Sequence, residues 1–135
     1  MPRKLLVGLV ALTVVVGMVA AGVVATRRVA SRDGAASGAP KHDSGIARLD
    51  ARIFFDNPFE QIAIIDYAVV DHRVTADGPR CQSAVPYDYE TEHGLEQVVA
   101  AYSLFGFEVG RVLIGCDGSA LRLRPGETLV QAAER

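Results

Sequence analysis

The sequence lacks the short motifs that commonly identify an enzyme. It has no phosphate-binding loop, no dinucleotide fingerprint, no GxSxG elbow and no HExxH helix. Its few histidines and cysteines are spread without a CxxC or HxxxH pair, so the closely spaced ligands typical of a zinc site are missing. We therefore assign no catalytic residue, no cofactor and no metal ligand from the sequence.

Basic residues are scarce in the distal part of the chain. Residues 46–135 hold eight arginines against fourteen Asp or Glu, whereas residues 1–45 hold six Lys or Arg against two Asp. Nucleic-acid-binding proteins concentrate basic surface to neutralise phosphates, and an acidic domain with scattered arginines does not. The composition therefore predicts no nucleic-acid partner.

Charge is absent from residues 5–25, LLVGLVALTVVVGMVAAGVVA. As a helix this segment would be about 31 Å long, which matches the hydrocarbon thickness of a bilayer. It predicts a transmembrane helix over 5–25 after a cytoplasmic tail of residues 1–4. A signal peptide cleaved after Ala25 is the alternative, but the apolar stretch is long for one, and Arg27 and Arg28 follow at once.

Large apolar residues are also missing from Ser31 to Ser44, where Gly, Ala and Ser dominate. Such a segment cannot bury enough surface to offset the entropy of ordering it. We expect a flexible linker over residues 26–45. The remaining residues, 46–135, suffice for one small domain.

Within that domain, the segment around Asp117-Gly118 predicts a hairpin with a two-residue type I′ turn. This turn would place Arg111 opposite Arg124 and Leu113 opposite Arg122. Alternation of apolar and polar residues predicts another strand over Cys81–Glu90.

Apolar residues at three- and four-residue steps, Leu95, Val98, Val99, Tyr102 and Phe105, predict a helix over residues 94–105 that ends at Gly106. Ile62–Thr75 is rich in β-branched residues and favours a strand, although Asn57-Pro58-Phe59-Glu60 resembles a helix start. A short strand is expected over 48–55 and a helical tail over 127–135.

These elements together predict an α+β fold, with one helix packed on a largely antiparallel sheet. An all-β sandwich is the alternative if the helix over 94–105 is misread.

The two cysteines, Cys81 and Cys116, are candidates for a disulfide, because an even number in a small exported domain favours pairing. Basic residues flank both ends of the apolar segment and leave its orientation open. The cysteines and the short N-terminal tail favour a single-pass protein of the cell membrane with its C-terminal domain outside the cytoplasm.

The layout of anchor, linker and small domain favours a role in protein interaction or envelope assembly, with the lipid bilayer and an unidentified protein as partners. The alternative is a small membrane-tethered enzyme, thiol-dependent, with His72 or His93 as base. The segment VLIGC at 112–116, followed by Arg124 on the next strand, resembles part of the sortase transpeptidases. Gly115 stands where sortases have threonine, and no residue role is assigned from this resemblance.

Overall fold

A computed structural model describes residues 2–38, 41–75, 94–115 and 119–134. In chain order, the elements are three helices, α1 (Arg3–Ala36), α2 (Lys41–Phe54) and α3 (Pro58–Ala63), then strands β1 (Asp66–Thr75) and β2 (Gly94–Tyr102), a 3-10 turn (Leu104–Gly106), strands β3 (Glu108–Gly115) and β4 (Ala120–Leu123), and helix α4 (Leu129–Ala133).

The four strands form one antiparallel sheet in the order β1-β2-β3-β4. Asp66, which begins β1, pairs with Tyr102, which ends β2, and Tyr102 also pairs with Glu108 at the start of β3. The start of β1 and the connection between β2 and β3 therefore lie at the same end of the sheet. We call this the loop end.

Helices cover both faces of the sheet. On one face, α2 buries Ala47, Ala51 and Phe55, which recur every four residues and pack with Val99 and Val112. On the other face, two smaller clusters are buried. Ala30 of α1 packs with Ala68, Ala100 and Tyr102, and Leu129 of α4 packs with Val98 and Leu123. The fold is α+β, as predicted, but the expected single packed helix is replaced by helices on both faces.

The predicted helix over residues 94–105 is wrong, because Gly94–Tyr102 forms strand β2. This strand is central in the sheet and buried on both faces, with only Glu96 partly exposed. A strand covered on both sides loses its apolar-polar alternation, and its apolar residues then also fall at helical spacings. The left-handed backbone expected at Gly106 is present, at φ 77°, but it lies in the turn after β2.

The segment before β1 also differs from expectation. Residues 48–55 were expected as a strand, but residues 48–54 belong to helix α2 and Phe55 follows its end. The helix start at Asn57 and the strand signal after it are both correct. Asn57 caps α3 by accepting a hydrogen bond from the backbone N–H of Phe59, and β1 begins three residues after α3 ends.

Strands β3 and β4 pair as predicted, but their register is shifted by one residue. Arg111 lies opposite Leu123 and Leu113 lies opposite Leu121, and the Gly115 N–H donates to the Ser119 carbonyl. The turn predicted at Asp117-Gly118 lies outside the described residues, and the register of the strands beside it differs by one residue from the register that this turn would set. The shift moves Leu121 and Leu123 to the face opposite Val112 and Ile114, where Leu123 joins the cluster under α4.

Helix α1 extends well beyond the apolar segment of residues 5–25. Residues 26–36 are helical, and Thr26 and Ala30 are buried against the sheet. The expectation of a flexible linker fails for these residues, because Ala30 and Gly34 are small enough for the helix to pack on the sheet. α1 is long and apolar enough to cross a membrane, and only 6% of its most apolar stretch of 18 residues is buried.

Candidate functional site

The most distinctive site in the described residues is the junction between α1 and the loop end of the sheet. α1 turns a stripe of small residues at four-residue spacing toward the domain: Gly22, Thr26, Ala30 and Gly34. A Cβ built on Gly22 would lie 2.7 Å from Cγ of Leu104, and one built on Gly34 would lie 3.7 Å from Cβ of Ala68. Helix α1 thus approaches Leu104 of the loop too closely for a side chain at position 22, whereas at Gly34 a Cβ would make ordinary contact with the sheet.

The Thr26 hydroxyl connects α1 to the loop between β2 and β3. Its oxygen lies 2.7 Å from the Ser103 carbonyl oxygen and 2.8 Å from the Gly22 carbonyl oxygen, to either of which it can donate. It also accepts a hydrogen bond of 3.0 Å from the backbone N–H of Gly106. Thr26 is fully buried, so this small network is shielded from water.

The loop itself has an unusual backbone. Phe105 adopts a positive φ of 63°, the only non-glycine residue in the described part of the chain to do so, and Gly106 follows with φ 77°. Such a conformation costs an aromatic residue roughly 1–3 kcal/mol, so the surroundings must hold it in place. They do so closely, because a Cβ on Gly106 would lie 2.8 Å from Cγ2 of Val29.

A second polar contact holds α1 at Asp33, about two helical turns after Thr26. The Tyr102 hydroxyl donates a hydrogen bond of 2.7 Å to the Asp33 carboxylate. Burial raises the pKa of Tyr102 strongly, and the hydrogen bond to Asp33 and the negative charges of Asp33 and Glu108 raise it further, while Arg111 lowers it. Tyr102 is therefore a neutral donor at any physiological pH.

Beside this junction lies an open cleft of about 620 Å³ between α1, α2 and β1. It is lined by Ala30, Gly34 and Ala35 of α1, by Arg48 of α2 and by residues 66–69 of β1. Arg52 places its guanidinium carbon 6.0 Å from the centre of the Tyr67 ring. Burial raises the pKa of Tyr67, with smaller opposing effects of Arg52, which lowers it, and Glu60, which raises it.

The residues singled out in the sequence contribute little to this site. Cys81, Cys116 and His93 lie outside the described residues, as does the predicted strand over 81–90, so the disulfide stays a prediction. His72 lies on β1, and no group of three His, Cys, Asp or Glu in the described ranges could hold a metal ion. The alternative of a thiol-dependent enzyme rests on these two cysteines and therefore also stays a prediction.

Sequence reasoning missed the junction, although one signal for it was present. Gly22, Thr26, Ala30 and Gly34 keep a strict four-residue spacing across the boundary between the apolar segment and the expected linker. Small residues at this spacing allow close approach of a packing partner. The partner, the loop of residues 103–107, has no sequence feature that would point to it.

Comparison with known proteins found no matching family model, no matching curated protein and no matching solved structure.

Proposed function

We propose that the chain is a single-pass protein of the cell membrane, with a short cytoplasmic N-terminus and a domain outside the cytoplasm that binds a protein partner in envelope assembly. The observation that carries this proposal is the continuity of α1. One helix holds an exposed apolar segment and, further along, the buried residues Thr26 and Ala30 that pack on the sheet.

Continuity of α1 favours a docking role. A domain on a flexible tether samples many orientations, whereas a domain fused to its anchor by a packed helix presents the same surface in one orientation. Thr26 and Asp33 fasten α1 to β2 and its loop at two points. A partner in or near the membrane would therefore meet a preoriented surface.

The cleft between α1, α2 and β1 is the surface we assign to the partner. β1 is an outer strand of the sheet formed by the described residues, and residues 66–69 of this strand line the cleft. Apolar walls from α1 with the charged groups of Arg48 and Asp66 at the margin suit a peptide segment of mixed character.

Membrane fractionation tests the anchor. We expect the protein to stay in the membrane fraction through a high-salt and an alkaline carbonate wash, because a helix buried in hydrocarbon is not released by weakening surface charge. A soluble chain that begins near Thr26 would show instead that the segment is a cleaved signal.

Protease treatment of cells whose outer envelope layers have been removed, with the cell membrane still closed, tests the orientation of the chain in the membrane. A domain outside the cytoplasm is digested while a short N-terminal fragment stays protected. Digestion that occurs only after the membrane is opened would reverse the proposed topology.

Site-specific photo-crosslinking tests the cleft. A photoreactive residue at Arg48 should form a discrete crosslinked product in native membranes, and the same residue at the exposed Arg124 should not. Filling the cleft with Ala35→Trp should remove the product, whereas Ala36→Trp, the neighbouring exposed alanine outside the cleft lining, should leave it. Products of equal yield at Arg48 and Arg124, or insensitive to Ala35→Trp, would contradict the assignment.

A further inference from the structure

Exposed apolar side chains gather at the loop end of the sheet. Phe105 and Phe107 of the connecting loop are 47% and 69% exposed, and Val109 at the start of β3 is 39% exposed. On α3, which ends beside the same end of β1, Phe59 and Ile62 are more than 80% exposed. Phe59 and Val109 line one small recess, which also contains the ion pair of Glu60 and Arg122, so the exposed apolar residues of α3 lie near those of the loop.

The loop residue Phe105 lies beside the apolar segment of α1. The Phe105 ring would be 3.2 Å from a Cβ on Gly22, which belongs to the uncharged residues 5–25. Arg27, the first charged residue after that segment, lies five residues further along, or about 7.5 Å up the helix axis. The loop therefore extends past the basic residues toward the side where α1 is exposed and apolar.

The loop is also suited to an apolar surrounding. Residues 103–107, SLFGF, carry no charge. The N–H of Ser103 donates to the Phe107 carbonyl, the N–H of Gly106 donates to Thr26 and to the Ser103 carbonyl, and the Ser103 carbonyl accepts from Thr26. Backbone groups that already have partners can enter hydrocarbon without the penalty that unpaired ones incur.

We infer that the loop of residues 103–107 inserts into the membrane leaflet beside α1, with Phe105 and Phe107 in the boundary between headgroups and acyl chains. This inference rests on the proposed membrane span and adds a second membrane contact to it. The bilayer is the occupant because the apolar loop surface continues the exposed apolar surface of α1 without a charged residue between them. The domain then rests on the membrane and cannot rotate about the end of α1.

The chain contains no tryptophan, so a single introduced tryptophan reports its own surroundings. Three variants of the full chain are compared in phosphatidylcholine vesicles whose acyl chains carry bromine, a quencher of tryptophan emission. Phe107→Trp tests the loop. Val15→Trp, at the middle of the apolar segment, tests the span. Val74→Trp, 43% exposed on β1 and seven pairs from the loop end, or roughly 24 Å, is the matched control in the domain.

We expect Phe107→Trp to show blue-shifted emission that bromine near the glycerol end of the acyl chains quenches strongly. Val15→Trp should be quenched most by bromine near the chain ends, and Val74→Trp by aqueous acrylamide alone. If Val15→Trp is quenched by lipid and Phe107→Trp by acrylamide, the loop is in water and the inference is wrong while the span stands. Shielding of Phe107→Trp from both quenchers would mean that protein covers the loop, which also overturns the inference. Loss of lipid quenching at Val15→Trp would overturn the span and the inference together.

Discussion

The buried hydroxyl group of Thr26 forms hydrogen bonds with two backbone groups of the loop between β2 and β3, the Ser103 carbonyl and the Gly106 N–H. Replacing it by the isosteric valine should cost about 0.5–1.5 kcal/mol, because the Gly106 N–H keeps only the Ser103 carbonyl as acceptor and that carbonyl loses the hydroxyl as donor. Thr13 offers a matched control, since its hydroxyl donates to the Leu9 carbonyl within the same helix at an exposed position. Thermal melts of the full chain in detergent micelles should show a lower midpoint for Thr26→Val and an unchanged one for Thr13→Val. Equal midpoints for the two variants would show that the hydrogen bonds of Thr26 do not stabilise the fold.

Tyr102 makes the stability of the domain depend on pH in the alkaline range. Its pKa in the folded state lies above the ordinary value of 10.0, so the folded state holds the phenolic proton more tightly than the unfolded state. The contribution of this group is therefore complete below pH 10 and is lost as pH rises beyond it. Melts at pH 8 and above pH 10 should show a fall in stability that is smaller in Tyr102→Phe. An identical fall in both proteins would contradict the raised pKa of Tyr102 in the folded state.

At the scale of the elements, Gly22 determines how closely α1 approaches the loop. A side chain on Gly22 would overlap Leu104, whereas one on Gly17 meets nothing within 4 Å. Gly22→Val should destabilise the folded domain by about 1–3 kcal/mol through overpacking, and Gly17→Val should not. Denaturant titration of both variants in micelles makes the comparison. Loss of stability in both, or in neither, would show that the close approach of α1 is incidental.

The elements that could be predicted from the sequence are those whose burial or capping shows in the local order of apolar and polar residues. β1 and β3 were recognised from β-branched residues and alternation, α4 from its position at the tail, and Asn57 from its role as a helix cap. β2 was misread as a helix because its two buried faces erase the alternation. The linker was misread because Ser31, Gly34 and Ala35 are as typical of a close-packed helix face as of a flexible chain, and only the partner surface distinguishes the two.

Register and site were harder to predict than element type. The two-residue turn predicted at Asp117-Gly118 would place Leu113 opposite Arg122, yet Leu113 pairs with Leu121. The observed register buries Leu123 beside Leu129 of α4. This tertiary contact cannot be predicted from the residues of the hairpin alone. The junction at Thr26 depends on contacts across more than 75 residues of sequence.

The whole molecule combines three properties: a helix apolar enough to span a membrane, a sheet held on the continuation of that helix, and an apolar loop at the level of Gly22. Together they describe a domain that is oriented by its anchor. Its partner-binding cleft would then face a fixed direction relative to the bilayer.

Amide hydrogen exchange of the full chain in vesicles distinguishes a packed helix from a flexible linker, because it reports on the backbone of residues 26–36, which join the apolar segment to the domain. A packed helix held by Thr26 and Asp33 should exchange as slowly as strand β2, since its amides open only when the domain unfolds. Thr26→Val should raise exchange in residues 26–36 and leave residues 8–18 protected by lipid. Rapid exchange of residues 26–36 in the unmodified protein, with β2 still protected, would show a flexible linker and contradict the account.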